Sequence, residues 1–448
     1  MQRLTSLLGQ SLRVRPALPR LSRSVRVGFI GAPISTHTVP TVELPHLSPD
    51  HQCPANEHKL KDPSLLKPYP FLDNEFLVPS ASQKTFTVAD PVSGRTIAQV
   101  PDQTVKDVKT AIDSASTAFK SFRHTTPRER ANLLRCWNDL VLENKEDLAT
   151  IITWENGKPI VDARGEVSYA ASFLEWFAEE APRVYGDTIP AGVRTNRIIT
   201  QRQPIGVCGL ITPWNFPAAM ITRKVGPALA AGCTVVIKAP GETPLTSLAL
   251  AELAKRAGIP AGVVNIVTTL ENTPEVGKEM CSNPTVKKIS FTGSTAVGKL
   301  LMRQSAETLK KLSFELGGNA PFIVFDDADL DIAVAGAVTS KFRSSGQTCV
   351  CANRIFVQEG VYDEFAERLS DKVKEFRVGS GYDKDTTHGP LIHPRAVEKV
   401  HDHVEDARGT GAKVLLGGKK MEHLGMNFYE PTILTGMKTA MVFIFSRL

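Results

Sequence analysis

The chain has 448 residues, 42% hydrophobic and 22% charged, which suits two or three folded domains and excludes a disordered, collagen-like or disulfide-stapled chain. Six of its 53 basic residues (Arg3, Arg13, Arg15, Arg20, Arg23 and Arg26) stand in residues 1–42, which hold no Lys, Asp or Glu, so the remainder balances the 47 acids despite the net charge of +6. A balanced body argues against nucleic acid as a partner. No run reaches the roughly 18 apolar residues of a membrane span. The cysteines are scattered without paired CxxC units, so no metal site is expected.

Residues 1–42 are Arg-rich, Ser-bearing and acid-free, the composition of a mitochondrial transit peptide. Residues 43–68 read as a proline-rich linker. Regular structure is predicted to begin near Lys84, with the alternating stretch Thr85 to Val88. Val105, Val108, Ile112, Ala115, Phe119 and Phe122 recur at helical spacing. A second helix follows Thr126-Pro127, a capping residue and a first-turn proline. Residues 193–203 read as a polar two-sided hairpin, which needs a partner edge to be stable.

From Pro204 the rhythm changes. Apolar strand-length runs at 206–212, 233–238, 263–268 and 287–292 alternate with helical segments at 218–231, 245–257 and 274–282. This is the pattern of βαβ units in a buried parallel sheet. It continues with strands near 321–325, 353–358 and 412–416, and helices near 328–344 and 361–376.

Three kinds of candidate site follow. Gly293 to Lys299 fits G-x-x-x-x-G-K, but Leu300 stands where a magnesium-binding Ser or Thr belongs, so a nucleotide triphosphatase is disfavoured. The motif leaves two readings, amides facing a phosphate at a helix N-terminus or a tight strand–helix turn. The G-x-G-x-x-G fingerprint is absent, so any dinucleotide binds in another way. Cys349 follows a glycine turn and precedes a strand, which suits either a presented thiol nucleophile or a buried inert thiol. Glu315, before Gly317-Gly318, is a general-base candidate or a solvated strand-end charge. Asn215, within Pro213-Trp214-Asn215-Phe216-Pro217, is an oxyanion donor or a turn former.

Together PWNFP (213–217), FTGSTAVGK (291–299), FELGGNAPF (314–322) and GQTCVCANR (346–354) resemble, in order and spacing, the aldehyde dehydrogenase superfamily over about residues 62–441. Within it, the stretches 221–236 and 340–353 and the Cys-x-Cys pair are most similar to succinate-semialdehyde dehydrogenases. The resemblance implies an α/β architecture: a Rossmann-type parallel-sheet cofactor domain (69–185 and 207–314), an oligomerisation hairpin (186–206) and an α/β catalytic domain (315–441). It implies Cys349 as nucleophile, Asn215 as oxyanion donor and Glu315 as the base that activates water. It places the cofactor, NAD or NADP, over Ile211, Thr212, Pro213 and Trp214, with Lys238 near its ribose, Ser294 near its pyrophosphate, and Gly293 and Leu316 in the same set. Gly241 stands where the family often carries an NAD-selecting carboxylate, with Glu242 displaced by one, so both cofactors stay open. Arg223 and Arg343 match the pair that grips a distal carboxylate. The Cys349–Cys351 pair matches a reversible disulfide of some mitochondrial members.

The expected activity is NAD(P)-dependent oxidation of succinate semialdehyde to succinate in the mitochondrial matrix, in 4-aminobutyrate degradation, by a homo-oligomer with no membrane partner. Glutarate semialdehyde is the alternative substrate. After EPTIL (430–434) the family continues into an E-x-F-G-P motif and a late pairing strand, whereas residues 442–448 do not resemble it. The expectation is therefore a C-terminally truncated member with an incomplete catalytic domain. Oligomerisation is then doubtful, and a residual thiol esterase is a second functional class.

Overall fold

The computed structural model describes residues 58–80 and 82–437. The leader read at 1–42, residues 43–57 of the expected linker and the 442–448 tail lie outside the described residues.

The centre is a sheet in which Lys311–Leu316, Val286–Gly293, Val207–Ile211, Thr234–Lys238 and Val264–Val267 lie side by side in that order, all parallel. The short strands Phe71–Leu72 and Glu75–Phe76 extend it antiparallel beyond Val264–Val267. Val207–Ile211, Thr234–Lys238 and Val264–Val267 are buried at every residue. Helices cover both faces, which is why these strands read as continuous apolar runs rather than alternating ones. The chain runs outward from Val207–Ile211 through the next two strands. It then crosses back and pairs Val286–Gly293 with the opposite edge of Val207–Ile211, Phe291 beside Ile211.

A smaller parallel pair, Ala320–Val324 and Ala352–Val357, is joined by the helix Leu330–Phe342. It has its own core around Val324, Val334, Phe365 and Leu369. The boundary expected between residues 314 and 315 falls inside the Lys311–Leu316 strand, which is hydrogen-bonded into the large sheet with Glu315 opposite Thr292.

The local signals explain the element ends. At the helix Pro127–Glu143, the Thr126 N–H donates to Glu129 Oε2 at 2.6 Å and the Glu129 N–H to Thr126 Oγ1 at 3.2 Å, a reciprocal cap. Regular structure starts earlier than Lys84, and residues 58–68 are docked rather than free. The N–H groups of Lys61 and Asp62 each donate to the Asp147 carboxylate at 2.8 Å, and Leu65 is fully buried. Three helices escape the sequence pattern, one of them Pro394–Gly409. Lys145–Asn156 is buried from Asp147 to Ala149 and again from Ile151 to Asn156, so it shows no one-sided stripe. Ile160–Glu180 packs largely through Ala163, Ala170, Ala171 and Ala178, residues too small to mark a stripe. The hairpin read at 193–203 begins earlier, as Thr188–Ile189 paired with Ile198–Ile199, all four residues exposed. Among the described residues no helix is long and apolar enough to cross a membrane.

One buried acid ties the first helices to the helix Pro244–Arg256. Glu155 accepts from the N–H groups of Leu245 (2.7 Å) and Thr246 (2.8 Å) and from the Thr246 hydroxyl, at the start of the helix Pro244–Arg256. Burial pushes its carboxyl up from 4.5 to about 8. The folded chain therefore holds a proton there between those values and the unfolded chain does not, so this group's contribution falls as pH rises through that window. Glu155→Ala should lose about 3 kcal/mol of stability at pH 5 by stranding donors, with a smaller loss at pH 8. Urea denaturation at the two pH values measures both effects.

Candidate active site

Where neighbouring strands lead away in opposite directions, their carboxyl ends leave a crevice. Here that point lies between Val207–Ile211 and Val286–Gly293. The first strand delivers Thr212, Pro213 and Trp214 to the crevice, and the second delivers Gly293 and Ser294. Ser294 caps the helix Thr295–Ser305, accepting from the Val297 N–H at 3.4 Å. Leu316 lies opposite Gly293. Lys238 ends the adjacent strand beside Ile211 and is buried. Burial lowers the Lys238 ammonium, and the nearby charges of Glu242 and Asp102 oppose that shift. Gly241 packs against Leu270, whose Cδ1 would lie 2.6 Å from a Cβ added there. All the residues expected to hold the cofactor therefore come from one end of one sheet.

The crevice has the polarity such a ligand needs. The hydroxyls of Thr212, Thr292 and Thr295 are buried there without a hydrogen-bond partner, an arrangement that fits a polar group entering between the strand ends.

The turn after Ile211 is held from behind. The Trp214 carbonyl accepts from Asn156 Nδ2 at 3.0 Å and from the Thr243 hydroxyl at 3.2 Å. Asn215 Nδ2 then donates to the carbonyl of Gln347 at 2.8 Å. An amide nitrogen carries two hydrogens, so one remains for a ligand. This bond joins the sheet to the loop that presents Cys349. The Cys349 carbonyl also lies 3.8 Å from where a Cβ on Gly318 would stand. The Cys349 loop thus meets Asn215 on one side and Gly318, three residues after Glu315, on the other.

Cys349 is exposed and free, whereas Cys351 is buried, its thiol donating to the Lys341 carbonyl at 3.3 Å. Bridging the two requires Cys351 to leave that bond. Glu315 lines a cavity of about 300 Å³ with Arg223, Lys224, Ser290, Ser313 and Phe314. Arg223 is also part of the wall of a second cavity, about 620 Å³, lined by Phe173, Trp176 and Phe177 among others. Arg343 is not among the residues lining either cavity; its guanidinium lies 5.3 Å from the centre of the Phe216 ring, next to Asn215 in the chain.

Two residues behind the site, Lys158 and Glu166, lie outside every motif, while Lys224 and Gln347 stand inside the quoted stretches without having been assigned a place. Lys224 could have been noticed as a charge in a largely apolar helical stretch, whereas Glu166 is one of several charges along its helix. Lys224 Nζ donates to Ser290 Oγ at 3.1 Å. Burial, then the neighbouring Arg223, pushes it down from 10.5 to about 8, against the pull of Glu315.

A parallel sheet with a polar switch-point crevice, beside a loop-borne thiol and a strand-end carboxylate, defines a nucleotide-linked thiol enzyme of the α/β class. A model of the aldehyde dehydrogenase family matches residues 77–445, and the chain belongs to that family. The match runs into the 442–448 stretch read as unrelated. The chain is 55% identical over 376 residues to a succinate-semialdehyde dehydrogenase [NADP(+)] of Saccharomyces cerevisiae, covering 84% of this chain and 75% of that one. It is 50% identical over 421 residues to a mitochondrial succinate-semialdehyde dehydrogenase of Arabidopsis thaliana, covering 93% and 79%. The crystal structure of a succinate-semialdehyde dehydrogenase from Burkholderia pseudomallei superposes with a TM-score of 0.84 at 53% identity, covering 86% of this chain and 79% of that one.

Competitive acetylation with mass-spectrometric readout should give Lys224 a midpoint near pH 8, well below exposed lysines. Glu315→Gln should lower that midpoint further, because the carboxylate favours the ammonium.

Proposed function

We propose that the chain oxidises succinate semialdehyde to succinate with NADP as the preferred cofactor. The observation that carries this reading is the contact of the Cys349 loop with Asn215 on one side and with Gly318, three residues after Glu315, on the other, beside the switch-point crevice. Identity above half to a relative named for that aldehyde and for NADP(+) supports the substrate and the cofactor. Gly241 places no carboxylate against a 2′-phosphate, and the buried Lys238 supplies a cation for one.

When bound, the nicotinamide dinucleotide supplies the hydride acceptor that the oxidation requires. The chain's own residues do the rest. Cys349 Sγ forms a bond to the aldehyde carbon, and the carbonyl oxygen becomes an oxyanion that the free hydrogen of Asn215 Nδ2 and the Cys349 N–H receive. After oxidation a thioester joins the acyl group to Cys349. Glu315 takes a proton from water, the hydroxide adds to the thioester, and the acid leaves as Cys349 regains its thiolate. Arg223 and Arg343 hold the distal carboxylate; guanidinium pairs with carboxylate in a bidentate fork, which favours a charged tail over an alkyl one.

The Arg-rich leader, together with the mitochondrial relative, supports import into the matrix. The exposed Thr188–Ile199 hairpin is the surface we assign to pairing between copies.

Absorbance of reduced nicotinamide, with succinate semialdehyde, glutarate semialdehyde and each cofactor in turn, tests substrate and cofactor together. Arg343→Ala should raise KM for succinate semialdehyde at least about tenfold while leaving hexanal within about twofold; equal effects would remove the clamp. For the cysteine pair, peroxide should inactivate the protein reversibly by thiol, and Cys351→Ala should make that inactivation irreversible. An unchanged response would exclude the bridge.

A further inference from the structure

Two buried charges behind Asn215 have no part in the chemistry above. Lys158 Nζ and Glu166 Oε2 are 2.6 Å apart, with 2% and 0% of their side chains exposed. Lys158 Nζ also donates to the main-chain carbonyl of Asn215 at 2.8 Å. The second oxygen of Glu166 accepts from the Ala218 N–H at 2.8 Å and the Ala219 N–H at 3.4 Å. The pair therefore grips the turn on both sides of Phe216-Pro217. The ring of Phe216 lies under both the Lys158 ammonium, at 4.2 Å, and the Arg343 guanidinium.

The main chain of Lys158 is boxed in as well. A Cβ on Gly381 would stand 2.5 Å from the Lys158 carbonyl oxygen, and one on Gly389 would stand 2.0 Å from that of Gly157. The stretch around Gly389 also holds the Cys349 loop. Ser345 Oγ donates to the Gly389 carbonyl at 2.9 Å, Gln347 Nε2 to that of Pro390 at 3.4 Å, and the Ile392 N–H to Gln347 Oε1 at 3.0 Å. Lys158 and the nucleophile loop are thus referenced to one segment. A shift of the ammonium becomes a shift of Asn215 relative to Cys349.

We propose that the Lys158–Glu166 pair is a positioning device for the oxyanion site. It sets the main chain of Asn215 so that the amide keeps its place against the Cys349 loop, and it steadies Phe216, on which Arg343 rests. The assignment builds on the reading of Asn215 and Cys349 given above. Neither charge touches substrate, so both are positioning residues. A buried pair of this kind is rarely the most stabilising choice for its volume, and its contacts all converge on one functional turn.

A double-mutant cycle tests it. Glu166→Gln keeps the shape but removes the charge that holds Lys158, and displacement by about 1 Å should lower kcat about a hundredfold. The dissociation constant for NADP should not change. Combined with Asn215→Ala, Glu166→Gln should cost nothing further, because its effect runs through Asn215. Losses that multiply, or a parallel loss of NADP binding, would overturn the proposal and leave a structural role. If Glu166→Gln does not fold, Lys158→Met/Glu166→Leu, an apolar pair of similar volume, replaces it in the same cycle. The cycle is also run on p-nitrophenyl acetate hydrolysis, which needs the oxyanion site and no cofactor. A protein that hydrolyses the ester but oxidises no semialdehyde ends the dehydrogenase reading while still deciding this one. A protein that does neither overturns both.

Discussion

The reversal of strand order around Val207–Ile211 is the constraint on which the rest depends. A strand flanked on both sides by parallel neighbours, whose connections run to opposite edges, cannot have its carboxyl end covered by either connection. The turn at Thr212 to Pro217 and the turn at Gly293-Ser294 therefore face one crevice, and the edge strand Lys311–Leu316 brings Glu315 to the same end. Sheet register, rather than any local motif, sets these three segments side by side.

Electrostatics then distinguish the helices that start at this end. The amides of Leu245 and Thr246 at the head of Pro244–Arg256 are already taken by Glu155, a buried acid of the chain itself. The head of Thr295–Ser305 is capped by Ser294 alone and carries the unpartnered Thr295 hydroxyl. The head of the first helix is thus occupied by an acid of the chain itself and that of the second is not. The glycine-rich stretch at 293–299 is a close strand–helix turn, with Gly298 packed on Leu316.

The Cys349 loop departs from ordinary backbone geometry. Ser344, Ser345 and Gly346 follow one another in the left-handed region, at φ of 50°, 55° and 78°. Two of them are not glycine, and each such residue costs on the order of 1–3 kcal/mol. The bonds from Ser345 and Gln347 to the 389–392 stretch offset that cost. The result is a sharp change of direction that leaves Cys349 exposed and buries Cys351 two residues later.

The βαβ rhythm from Pro204 onward was legible because buried strands and one-sided helices have different apolar periods, and the cap at Thr126 is local enough to be read. Asn215, Glu315 and Cys349 could be picked out because their chemistry sits in distinctive short motifs. Arg223 was named only through the family resemblance, and its place between two cavities could not be read at all. Nor could the helix Lys145–Asn156, which is buried nearly all round and so has no period to detect. Lys158 and Glu166 are eight positions apart in the chain and reach Asn215 and Ala218 more than fifty positions later. Such contacts arise only when separate helices pack on one sheet, because a charge acquires its partner from the fold and not from its neighbours along the chain.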